Sequence, residues 1–125
     1  MKKHLSIVSA AHIAAATVAL AATSLAFAHA TPTRQQPAAG ATVTATTDKV
    51  AIDFDDRLEP AFSSINVTDA QGKSVVGGKS AVDAANPKHM SVSVGTLAPG
   101  KYTVAWVAVA ADGHRTQGRY TFSVK

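Results

Sequence analysis

Three residues carry the strongest chemical signal in this chain, and the first of them gains its chemistry only through proteolysis. His29 follows Ala26-Phe27-Ala28, the small-x-small pattern at which an export signal is cut. Cutting there leaves His29 with a free α-amine beside its imidazole, two nitrogen donors that close a chelate ring on one metal ion. Far along the chain, Asp112-Gly113-His114 sets a carboxylate and a second imidazole two residues apart. On an extended segment that spacing turns both side chains to one side, and the glycine between them leaves the backbone uncrowded. Each feature has an ordinary explanation of its own: a cleavage site can precede any residue, and Asp-Gly is a common hairpin dipeptide. Together they offer three nitrogens and one oxygen. Borderline nitrogen and hard oxygen donors in a tetragonal arrangement suit copper(II), with nickel(II) held less tightly and zinc preferring a tetrahedron.

Other candidates are weaker. His89 follows Asn86-Pro87-Lys88 at the start of a strand with no adjacent donor, and reads as a surface histidine. Met90 alternates with Val92 and Val94, which makes it core, and it is the one methionine left after cleavage. A methionine-rich copper(I) site therefore has no ligands here. Asp53, Asp55, Asp56 and Glu59 lack the glycine and the acid spacing of a calcium loop. Asp53 and Asp55 are expected to face solvent, opposite Ile52 and Phe54. Gly77-Gly78-Lys79 lacks the rest of a phosphate-binding loop and reads as a turn.

The elements that must position these residues begin after residue 28. Lys2 and Lys3 followed by the mainly apolar stretch from Leu5 to Leu25 form an export signal over 1–28. A single domain then spans 29–125, 97 residues, too short to divide in two. It holds no cysteine, so disulfides, thiolate metal sites and cysteine nucleophiles are excluded. Loss of Lys2 and Lys3 leaves ten basic side chains against eight acidic, scattered singly, a balance that argues against a nucleic-acid partner.

From Thr44 onward apolar residues recur with a period of two, the signature of half-buried strands. Val50, Ile52 and Phe54 share a face; so do Ile65 and Val67; Met90, Val92 and Val94; Tyr102, Val104 and Trp106; and Tyr120, Phe122 and Val124. Val43 and the Val75-Val76 pair mark shorter strands. Turn residues separate them at Pro37 to Gly40, Arg57 to Pro60, Asp69 to Gly72, Gly77-Gly78, Asn86-Pro87 and Pro99-Gly100. The spacing predicts an all-β, immunoglobulin-like Greek-key sandwich of about seven strands with Trp106 in its core. Asp112 to His114 then fall at one end, between the last two strands.

The same residues resemble the periplasmic copper-resistance protein family CopC. The family's mature start looks like His-Ala followed by Pro-Ala-x-Gly, and here His29-Ala30 precedes Pro37-Ala38-Ala39-Gly40. Its closing block looks like Pro-Gly-x-Tyr-x-Val-x-Trp, then Asp-Gly-His, a glycine and a last strand. This chain has Pro99-Gly100-Lys101-Tyr102-Thr103-Val104-Ala105-Trp106, then Asp112-Gly113-His114, Gly118 and Tyr120 to Val124. The resemblance implies a Greek-key sandwich in the periplasm, a copper(II) site of His29, Asp112 and His114, and a CopD-type inner-membrane copper protein as partner. Two departures stand out: Pro32 and Gln35 occupy positions where relatives often show Leu and Ser, and the methionine-rich loop of some relatives is missing.

The expected function is that of a copper(II) chaperone or buffer, not an enzyme, because four protein donors fill the copper plane and leave no open position for substrate. Two alternatives stand beside it. An amino-terminal histidine with a second histidine also resembles the histidine brace of copper oxygenases, although Asp112 takes the open position and no aromatic row is present to grip a polymer. The other is a structural immunoglobulin-like module whose histidine is incidental.

Overall fold

The computed structural model describes residues 29–125. The expected export signal, 1–28, lies outside the described residues. Eight strands form: β1 (Pro32–Gln36), β2 (Thr42–Val43), β3 (Lys49–Phe54), β4 (Ser64–Thr68), β5 (Ala81–Val82), β6 (His89–Ser93), β7 (Gly100–Val109) and β8 (Arg115–Val124). A short 3-10 turn, Pro60–Phe62, precedes β4. The strands make two four-stranded sheets, ordered β1-β3-β6-β5 and β2-β8-β7-β4. All pairings are antiparallel except that of β2 with β8.

The predicted period of two becomes the core. Val50, Ile52 and Phe54 of β3 and Met90 and Val92 of β6 turn inward from one sheet; Ile65, Val67, Tyr102, Val104, Trp106, Tyr120, Phe122 and Val124 do so from the other. Residues between them on each strand are mostly part-exposed, as alternation requires. Trp106 lies edge-on to Phe54 of the opposite sheet, ring centroids 5.3 Å apart, while Tyr102 stacks on Phe122 within its own sheet at 5.5 Å. Aromatic pairs in these geometries add to simple burial. Met90 is fully buried, as expected.

The strand count differs from the prediction in identifiable places. β1 carries no apolar alternation, so nothing in Pro32 to Gln36 announces it; its backbone pairs with β3 at the sheet edge. β5 has only two residues and likewise leaves no pattern. The Val75-Val76 segment does not become a strand of either sheet. It is tied in by isolated bridges, Ser74 to Thr68 and Val76 to Val94.

The element that matters most for function is the β7–β8 hairpin. Its ten-residue strands pair without interruption from Gly100 and Val124 to Val109 and Arg115. Long, regular pairing gives the connecting loop, Ala110 to His114, a firm base at one end of the sandwich.

Candidate metal centre

The loop is a tight turn. Gly113 N–H donates to Ala110 C=O at 2.9 Å, and Ala110 N–H donates to His114 C=O at 2.9 Å. Gly113 takes φ +88°, a left-handed conformation open to glycine and costly for most other residues. From the outside the base is braced by the segment before the 3-10 turn: Glu59 N–H donates to Val109 C=O, and Ala111 N–H to Arg57 C=O.

This turn brings Asp112 and His114 together twice. The Asp112 carboxylate accepts from the His114 backbone N–H through Oδ1 at 3.0 Å, and Oδ2 lies 2.8 Å from the His114 ring nitrogen Nδ1. The histidine ring is thereby fixed relative to the carboxylate. Both side chains are partly exposed, so the pair sits at the surface rather than in a closed cavity.

His29 arrives from the other end of the chain. Ala30 is wholly buried, and its carbonyl accepts a hydrogen bond from Thr116 Oγ1 at 2.7 Å. Thr31 pairs with Asp55, which follows β3, in both directions: Thr31 N–H donates to Asp55 Oδ1 at 2.7 Å, and Asp55 N–H donates to Thr31 C=O at 3.0 Å. The outcome is that the His29 and His114 rings stand 5.5 Å apart, centroid to centroid, tilted by 55°. The three residues singled out in the sequence therefore share one end of the fold, with both histidines adjacent and the carboxylate against His114. Among the described residues, no three His, Cys, Asp or Glu side chains are already closed around a common metal position.

A groove of about 640 Å³ adjoins the loop, lined by Glu59, Phe62, Val109, Ala111, Asp112, Gly113 and Arg115. Phe62 is the single large apolar side chain exposed among the described residues, at 68%. An aromatic row of the kind that grips a polymer does not form there.

His89 and Asp53 lie part-exposed on the outer face, as expected, and there they meet: Nδ1 lies 2.6 Å from Asp53 Oδ1, because β3 and β6 pair these two residues directly across the sheet. Only sheet register reveals this contact. Asp55 is exposed, as expected, and its carboxylate accepts from Thr31 of the His29 arm. Asp56 Oδ1 accepts from the neighbouring Arg57 N–H, so the acidic run is split among separate partners. Thr116 gave no signal in the sequence, since a threonine in a strand is unremarked by any motif.

A two-layer β-sandwich with a histidine and carboxylate loop at one end defines a class of small β-proteins, and comparison places the chain within it. Residues 32–125 match the CopC domain, and the chain belongs to the CopC family. Protein YobA of Escherichia coli K12 is 38% identical over 100 residues, covering 79% of this chain and 81% of that one. The copper transport protein CutJ of Bacillus subtilis is 30% identical over 99 residues, covering 78% of this chain but 18% of its own much longer one. Among solved structures, CopC of Methylosinus trichosporium OB3b superposes with a TM-score of 0.73 at 33% identity, over 78% of this chain and 94% of that one. PcoC of Escherichia coli, described as a methionine-rich copper resistance protein, does so with 0.70 at 32%, over 78% and 100%. Methionine richness does not extend to this chain, which has Met1 and the buried Met90 alone.

Proposed function

We propose that the cleaved chain is a periplasmic copper(II)-binding protein that carries or buffers the ion and performs no bond-breaking chemistry. The ligands are the α-amine and imidazole of His29, the imidazole of His114 and a carboxylate oxygen of Asp112. Membership of a family whose members include a copper resistance protein and a copper transport protein supports the choice of copper.

The observation that carries the ligand set is the 2.8 Å separation of Asp112 Oδ2 and His114 Nδ1. Two donors at right angles, each about 2 Å from an ion, lie about 2.8 Å apart. The hydrogen-bonded pair thus already has the spacing of two adjacent corners of a tetragonal plane; if both atoms bound the ion, it would sit off the line between them and any proton they share would pass to solvent. Imidazoles on one ion have centroids about 4.5 Å apart when adjacent and about 6 Å when opposite. The 5.5 Å between His29 and His114 falls within that range, so a small side-chain adjustment closes the site. Cleavage supplies the remaining donor, because before it the His29 nitrogen is an amide.

With Asp112 in the plane, the fourth position that an oxygenase keeps open is occupied, which favours holding the ion over reacting through it. The receiving partner we assign is a CopD-type inner-membrane copper protein. CutJ, a copper transport protein by name, supports this by carrying a similar stretch as 18% of a longer chain.

Titration of the mature chain with copper(II), followed by electron paramagnetic resonance, tests the reading. One tight equivalent with a tetragonal, nitrogen-rich spectrum is expected. His89→Ala should leave both unchanged. A chain carrying one extra residue before His29 should lose that spectrum, and equal binding by it would overturn the ligand set.

A further inference from the structure

We infer that Thr116 and Asp55 are positioning residues that hold His29 at the site, an inference that rests on the copper reading above. His29 is an amino-terminal residue once the signal is gone, and chain ends fray unless they are tied down. A frayed His29 pays its ordering entropy each time it binds an ion, which lowers affinity without changing any ligand.

The fold ties it down at the two residues that follow. Thr116 Oγ1 donates to Ala30 C=O at 2.7 Å, and the same hydroxyl lies 3.4 Å from Ala108 C=O on β7. Ala30 has no exposed surface, so its carbonyl depends on that hydroxyl for a partner. Thr116 also sits two residues beyond His114, on the same side of the extended backbone. His114 and His29 therefore hang from one hydrogen bond: His114 two residues before the donor, His29 one residue before the acceptor. Any shift of that bond changes the distance between the two rings.

Asp55 makes the second tie. It accepts from Thr31 N–H at 2.7 Å and donates its own N–H to Thr31 C=O at 3.0 Å, a reciprocal pair at the end of the β1–β3 ladder. The Thr116 bond fixes the arm to the sheet that carries His114, and the Asp55 pair fixes its direction. With both in place, the amine and ring of His29 are delivered to the carboxylate and ring already paired in the loop.

The test uses the mature chain beginning at His29. Thr116→Val keeps the shape and β-branching but removes the donor; Thr116→Ser restores it; Asp55→Ala removes the carboxylate half of the second tie at an exposed position. Copper(II) affinity is expected to fall about tenfold in Thr116→Val and in Asp55→Ala. A broadened or altered paramagnetic spectrum should accompany the loss, and Thr116→Ser should recover both. Hydrogen exchange without metal gives an independent readout: the Thr31 amide is protected in the parent chain and loses that protection in Asp55→Ala. If the parent chain binds no copper while Thr31 shows the expected exchange, the copper reading fails and the ties stand as structural. If the parent binds copper and Thr116→Val and Asp55→Ala, both folded, bind with the same affinity and spectrum, the positioning role is wrong. Should Thr116→Val fail to fold, Asp55→Ala alone decides between these outcomes.

Discussion

Replacing Gly118 by alanine tests the most exacting contact in the core. Gly118 stands directly opposite Trp106 in the β7–β8 pairing, and the indole covers it. A Cβ at Gly118 would lie 2.6 Å from Cζ2, 2.8 Å from Cε2 and 3.0 Å from Nε1 of Trp106. Carbon atoms in contact sit roughly 3.5 to 4.0 Å apart, so the ring must retreat by about 1 Å. Phe54 meets the ring edge-on from the other sheet, and Trp106 is almost entirely buried, so there is little room to move. Overpacking of this kind costs about 1 to 3 kcal/mol. Relief of the glycine's own entropy penalty returns about 0.5 to 1 kcal/mol. The severity of the contact puts the net loss near the upper end, about 2 kcal/mol, or roughly 8 to 16 °C in Tm for a domain of this size. Urea or thermal unfolding followed by the fluorescence of Trp106, the one tryptophan, measures it directly. Trimming the ring should undo part of the damage: in a cycle with Trp106→Phe, followed by circular dichroism, the double variant should be more stable than the sum of the singles predicts by about 1 kcal/mol. A Gly118→Ala chain as stable as the parent, or a strictly additive cycle, would mean that the indole yields without cost.

Two further outcomes follow from the structure. Burial pushes the Tyr120 hydroxyl up to about 12 from its ordinary 10.0, and that hydroxyl has no hydrogen-bond partner among the described residues. The unfolded chain releases this proton near pH 10 and the folded one only near 12, so stability present below pH 10 is lost as pH rises through that window. Tyr120→Phe should remove this part of the alkaline loss, with equal or greater stability at pH 7, seen by comparing urea midpoints of the two chains from pH 7 to 11. At the other extreme, protons would compete with copper(II) for the nitrogens of the proposed site. Affinity measured by competition with a coloured chelator should therefore fall steadily as the solution is acidified, and full retention at pH 4 would count against the ligand set.

What the sequence disclosed and what it concealed divide along a physical line. Alternation placed Val50, Ile52, Phe54, Val104, Trp106 and Phe122 in the core because burial on one face of a strand is written residue by residue. The Asp112 to His114 pairing was equally legible, since both partners lie within one turn. By contrast, β1 is held by backbone bonds at a sheet edge, which any side chain permits, so Pro32 to Gln36 gave no sign. Asp53 and His89 meet only through the register of β3 with β6, information spread over 36 residues of chain. Thr116 and Ala30, 86 residues apart, meet through the closing of the whole sandwich. Chemistry built within a loop, or from residue types as distinctive as an amino-terminal histidine, can be read ahead of the fold; hydrogen bonds that join distant strands wait for it.

The two histidines belong to different layers. His29 leads into β1, part of the β3 sheet, whereas His114 and Asp112 are borne by the β7–β8 hairpin of the other. An ion held as proposed by both would span the seam between the layers at one end of a sandwich with no cysteine to bridge it. Without the ion, the Thr116 and Asp55 hydrogen bonds alone hold the arm before β1 against the fraying usual for terminal segments. With it, that end would become the fastened one, and the layers would first part at the opposite rim, near β2 and the Pro99-Gly100 turn. Metal occupancy would then set not only how firmly the sandwich is closed but from which side it comes apart.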